Sequence, residues 1–214
     1  MESPASVPAP VRILTVCTGN ICRSPAAERL LQAGLDQVAP GGFVVTSAGT
    51  RAMLGEPMQP PSADMVRTFG GDPENFAARQ LTSKILRGAD LVLTMASGHR
   101  GEVLQLDASL LRRTFTIREF ARMLDVLDDR AEASPADSVR TAHDADPLAA
   151  NTAFWRALPA RAASVRHLSL PAHSSENDII DPYRRGPETY RQMEDELAPA
   201  IVSILRHARL NLPA

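Results

Sequence analysis

The sequence predicts an α/β fold, an open, mainly parallel four-stranded sheet with helices on both faces. Three observations carry that expectation. The apolar run at 11–16 leads through a short polar loop into a helical pattern. Strand-like and helix-like segments then alternate as far as residue 127. The 214 residues, finally, suit one such domain better than two.

Residues 1–10, rich in Pro, Ser and Ala, are expected to form a disordered leader, with a single domain over 11–214. The run 11–16 reads as a buried strand, and 25–38 places Ala26, Leu30, Leu31 and Leu35 at helical spacing. Residues 43–48 read as a second strand, 63–69 and 83–87 as short helices, and 91–95 as a third strand. A helix at 97–105, a short strand at 113–116 and an amphipathic helix at 117–127 follow. The stretch 128–151 is acidic, Ala-rich and broken by proline, and is expected to be a flexible insertion. A helix at 152–165 and a long terminal helix at 187–208, with Pro187 in its first turn, complete the reading.

Composition excludes several classes of function. With 23 basic against 25 acidic residues and a net charge of −2, no basic face for nucleic acid is expected. No segment approaches the roughly 20 apolar residues of a membrane span. Cys17 and Cys22 are the only cysteines, too few for a disulfide framework, so a reducing cytoplasm is the expected location. His99, His143, His167, His173 and His207 lack metal-ligand spacing and are expected at the surface or at helix caps. Neither metal nor cofactor is expected, and the oligomeric state is open.

The chemistry concentrates in Cys17-Thr18-Gly19-Asn20-Ile21-Cys22-Arg23-Ser24, which lies between a strand and a helix. A loop so placed can wrap its N–H groups around an oxyanion, and the helix end adds positive potential at the same point. Gly19 is expected to take a backbone conformation closed to other residues, and Ser24 to cap the helix. A thiol at the base of such a nest has its thiolate stabilised, and Arg23 presents a planar fork to two phosphate oxygens. Phosphate binding over 18–24 with a nucleophile at Cys17 is the chemistry those residues suit.

The string from Val16 to Pro25 resembles the signature of the low-molecular-weight protein tyrosine phosphatases. The similarity extends to Ser47-Ala48-Gly49-Thr50, Gly55-Glu56-Pro57, Arg79-Gln80-Leu81-Thr82, residues 89–95 and Asp181-Pro182-Tyr183. The resemblance implies a phosphocysteine formed on Cys17, with Asp181 first as proton donor and then as base toward water. It also implies that Asn20 and Ser47 brace the loop, that Ser24 hydrogen-bonds the Cys17 sulfur, and that Cys22 can form a reversible disulfide with Cys17. The expected substrate is a phosphotyrosine protein or a small aryl phosphate.

Where many members carry an aromatic pocket wall, this chain reads Arg51-Ala52-Met53-Leu54, so Met53 or Leu54 is expected to serve, with Tyr183 opposite. A protein-arginine phosphatase is the first competing reading, although such relatives typically carry threonine where Ile21 stands. An arsenate reductase would need cysteines beyond these two. A catalytically dead phosphate-binding module would not need Cys17, Arg23 and Asp181 together.

Overall fold

The computed structural model describes residues 9–133 and 146–211. The expected leader therefore lies, but for its last two residues, outside the described residues, as does His143. Four parallel strands, β1 (Val11–Cys17), β2 (Phe43–Gly49), β3 (Leu91–Thr94) and β4 (Thr114–Thr116), form one sheet in the order β2-β1-β3-β4. In β1 only Arg12 is exposed, because helices cover both faces of a central parallel strand. Val11 and Ile13 face one core with Leu91, Leu93 and the apolar stripes of α1 (Arg23–Val38), α5 (Ile117–Ala133), α6 (Pro147–Ser164) and α7 (Pro187–Leu210). Leu14, Val16 and Val92 face a smaller core with Leu86 of α3 (Ser83–Arg87) and Val103 of α4 (Ser97–Leu106). A further helix, α2 (Pro60–Thr68), flanks α1.

Each strand of a parallel sheet starts at the same end, so every loop leaving a strand's carboxyl end gathers at one edge. Cys17 ends β1 there, between Gly49 of β2 and the residues following Thr94 of β3. The opposite edge is closed by α6, where Trp155 packs edge-on to Phe43 at 4.9 Å between ring centroids.

Two expectations change in this region. Residues 128–133 continue α5 and residues 147–151 open α6, so both flanks of the expected insertion are helical; 134–145 lie outside the described residues. Asp128, read as the start of the acidic, flexible insertion, is buried against His207 of α7, with Oδ1 2.5 Å from Nδ1. Phe154 of α6 stacks on that imidazole at 5.8 Å. A carboxylate with a hydrogen-bonding imidazole can be buried where an isolated one would not be, and that partner lies 79 residues further along the chain.

Candidate active site

The loop from Cys17 to Cys22 is held from outside by its carbonyls. Those of Cys17, Thr18, Gly19 and Ile21 accept from the backbone N–H groups of Thr50, Arg51, Met53 and Gln59, at 2.8–3.0 Å. Because a trans peptide sets its N–H opposite its C=O, anchoring the carbonyls outward turns the N–H groups of Thr18, Gly19, Asn20 and Cys22 the other way. The Asn20 N–H points at Cys17 Sγ, 3.3 Å away. The fit against β2 is close enough that a Cβ on Gly49 would lie 2.4 Å from the Thr18 carbonyl oxygen, so only glycine is accommodated there.

Asn20, not Gly19, takes the left-handed backbone, with φ of 56°. A Cβ at Gly19 would meet nothing closer than 3.4 Å, an ordinary contact. Asparagine tolerates this region, and here its amide fixes the conformation as well. Its Nδ2 donates to Ser24 Oγ (3.0 Å) and Ser47 Oγ (2.8 Å), and its Oδ1 accepts from the Arg79 N–H (2.9 Å). Ser47 Oγ passes the network on to the carboxylate of Glu28, whose pKa burial raises against the lowering effect of that same bond.

Ser24 is not the helix cap. The helix starts one residue earlier, at Arg23, with Cys22 at the cap position and no side chain capping it. The fully buried Ser24 hydroxyl instead sits 3.0 Å from Cys17 Sγ. The uncapped amides of α1 and the loop N–H groups thus share one concavity with the thiol. An arrangement of that kind stabilises negative charge on sulfur or phosphate.

That concavity is a pocket of about 170 Å³ lined by Cys17, Thr18, Gly19, Ile21, Cys22, Arg23, Arg51, Met53, Asp181 and Tyr183. Met53 and Tyr183 are both present as walls; Leu54 is 69% exposed and does not line it. Arg23 Nη1 donates to the Ile179 carbonyl (3.2 Å) and Nη2 meets Asp181 Oδ2 at 2.8 Å. Its Nε is buried with no hydrogen-bond partner among the described residues. The other carboxylates of the loop before α7 are occupied elsewhere: Asp178 accepts from Ser97 N and Oγ at the start of α4, and Glu176 from the His173 N–H.

Cys22 lies 3.8 Å from Tyr190 Oη of α7, and burial pushes its thiol up to about 11, so at neutral pH it is protonated. Burial raises the Tyr190 phenol too. Both cysteines are free thiols.

His99 overturns the expectation of a surface histidine. It is 7% exposed in the first turn of α4, with Nε2 2.9 Å from Thr18 Oγ1 and Nδ1 buried without a partner among the described residues. Burial first, then the Arg23 charge, lowers its pKa to about 4 against the opposing pull of Glu102, Asp181 and Asp178. Nothing in its local sequence marks it; its position just after the strand beside β1 was the available signal. No cluster of metal-ligating side chains occurs among the described residues, nor is any described helix long and apolar enough to cross a membrane.

Comparisons with known proteins agree with this geometry. The chain is 35% identical over 116 residues to the low molecular weight protein-tyrosine-phosphatase Etp of Escherichia coli K12, covering 54% of this chain and 75% of Etp. The crystal structure of the Erwinia amylovora tyrosine phosphatase AmsI superposes with a TM-score of 0.60 at 22% identity, covering 96% of each chain, which speaks to the fold. The YwlE arginine phosphatase from Geobacillus stearothermophilus gives a TM-score of 0.60 at 25% identity over 92% of each chain. Residues 12–134, more than half of the chain, match the family described as low molecular weight phosphotyrosine protein phosphatase, and with that span and the parallel sheet the chain belongs to this family.

Proposed function

We propose that the protein hydrolyses phosphotyrosine through a phosphocysteine on Cys17. The observation that carries this is the pairing of a thiol at the base of the nest with the Arg23 guanidinium, whose buried Nε finds no acceptor among the described residues. A phosphate dianion competes with Asp181 for the same cation. As Arg23 turns its fork to two phosphate oxygens, the carboxyl group is released toward the leaving oxygen.

In the first step the Cys17 thiolate forms the S–P bond as the P–O bond to tyrosine breaks, and protonated Asp181 gives its proton to the departing oxygen. The N–H groups and Arg23 stabilise the three equatorial oxygens. In the second step water adds to phosphorus, its proton passes to the Asp181 carboxylate and the S–P bond breaks. The Ser24 hydroxyl, 3.0 Å from sulfur, hydrogen-bonds the departing thiolate. Cys22, held as a thiol, does not compete as nucleophile.

Ile21 lines the pocket as a branched apolar side chain, and Met53 and Tyr183 provide flat or flexible walls suited to a phenyl ring. Phosphotyrosine is therefore favoured over phosphoarginine. The test is turnover of para-nitrophenyl phosphate and of matched phosphotyrosine and phosphoarginine peptides. Wild type should prefer phosphotyrosine, Cys17→Ser should lose turnover while still binding vanadate, and Ile21→Thr should shift the ratio toward phosphoarginine. Turnover by the serine variant above a few per cent would remove Cys17 from the mechanism.

A further inference from the structure

Asn20 clamps the middle of the phosphate loop through its amide, but the first residue after the nucleophile is held differently. The Thr18 carbonyl accepts from the Arg51 N–H at 3.0 Å, and its side chain is fixed by His99 at 2.9 Å. His99 comes from α4, 81 residues along the chain, and the start of α4 is tied to the loop carrying Asp181 by the bonds from Ser97 to Asp178. The imidazole, buried and in contact with Thr18, thus joins the nucleophile's loop to the helix start that holds the acid's loop through Ser97. We infer that His99 is a positioning residue of the catalytic reaction, holding Thr18, and with it the Thr18 peptide next to Cys17, in the conformation that receives phosphate.

This rests on the phosphatase reading above. Of the two ring nitrogens only Nε2 has a partner among the described residues. A buried N–H without an acceptor is rarer in proteins than an unmet acceptor, which places the single proton of the neutral ring on Nε2. His99 then donates to Thr18 Oγ1. Its neutrality matters to the site, since an imidazolium here would set a second positive charge beside Arg23 and compete for Asp181. Glutamine can offer an N–H at the reach of Nε2 without any charge. Leucine fills similar space and offers none.

The experiment compares wild type, His99→Leu, His99→Gln, Thr18→Val and the double variant His99→Leu/Thr18→Val. It reads kcat/KM for para-nitrophenyl phosphate, the inhibition constant for vanadate and Tm. His99→Leu and Thr18→Val should each reduce kcat/KM and weaken vanadate about tenfold, the effect of one lost bond. The double variant should be no worse than the poorer single, and His99→Gln should recover at least a third of the wild-type value. Multiplying losses in the double variant, an inert His99→Leu, or a glutamine variant as poor as the leucine one would overturn the role. If His99→Leu fails to fold, Thr18→Val against His99→Gln decides: a tenfold deficit confined to Thr18→Val supports the role, and equal activities refute it. Wild type lacking turnover would sink the phosphatase reading alone, because vanadate affinity still reports on the loop.

Discussion

The two ends of the parallel sheet are built from different materials. At the carboxyl end the groups are polar and hydrogen-bonded or ion-paired: Asn20 to Ser24 and Ser47, Ser47 to Glu28, Arg23 to Asp181 and His99 to Thr18, with one asparagine in the left-handed region. At the amino end α6 closes the fold with aromatic packing, Trp155 on Phe43 and Phe154 on His207, over the buried pair Asp128–His207. The polar end spends stability on preorganising an anion site, and the apolar end supplies it. Substitutions at the two ends should therefore separate rate from stability.

The largest expected effect is at the carboxyl end. Asp181→Asn should slow hydrolysis of a tyrosyl phosphate by ~10²–10⁴, the usual contribution of a general acid, with Tm nearly unchanged because Asp181 is half exposed. A leaving group that is already a stable anion, such as para-nitrophenolate, should suffer less. Equal losses for both substrates would move the acid elsewhere. Trp155→Ala at the amino end should do the converse: a loss of about 3–5 kcal/mol in urea unfolding, as for large aromatic truncations, with kcat/KM of the folded protein kept. A matching fall in kcat/KM would show that the two ends are coupled.

Acid unfolding sharpens the same contrast through His99. Its pKa falls from 6.5 to about 4 on folding, so between those values the unfolded chain binds more protons and stability drops as pH falls. The loss begins near pH 6.5 and levels off below about 4. It amounts to about 3 kcal/mol. His99→Gln should remove that share, seen as a smaller shift in urea midpoint between pH 7 and pH 4. An unaltered shift would mean that other groups govern the acid limb. The smallest effect belongs to Asn20. Asn20→Gly keeps the left-handed backbone but loses the amide bonds, while Asn20→Ala loses both, so alanine should be less stable than glycine by about 1 kcal/mol. Equal stabilities would mean that φ at this position carries no strain.

How much of this was legible in the sequence follows the distance between partners. The strand, loop and helix around Cys17 were readable because the residues that signal them lie within about two dozen positions of one another, and the boundaries of β1, β2 and α3 agree closely with the expected ones. The helical assignment of Ser24 and the left-handed Asn20 were missed within that same stretch, because glycine and serine are the commoner choices for a strained turn and a cap. His99 and Asp128 were missed for another reason: Thr18 and His207, the groups that permit their burial, lie 81 and 79 residues away. α6 was anticipated only from residue 152. Its first turn, opened by Asp146 and Pro147, merges with an acidic, alanine-rich approach that shows no periodicity. The family match ends at residue 134, so Asp181 stands on the Asp-Pro-Tyr string and on its 2.8 Å contact with Arg23.

The central claim is that phosphate passes through Cys17, and the most direct measurement is rapid-quench mass spectrometry of the Asp181→Asn variant mixed with an aryl phosphate. Slowed attack of water should let the intermediate accumulate, with one phosphoryl group on the peptide containing residues 17–23 and fragmentation assigning it to Cys17. Cys17→Ser under the same conditions should show no turnover-linked label. A phosphoryl group on Cys22 or outside this loop, or product release at full rate with no labelled enzyme at any time point, would contradict the account.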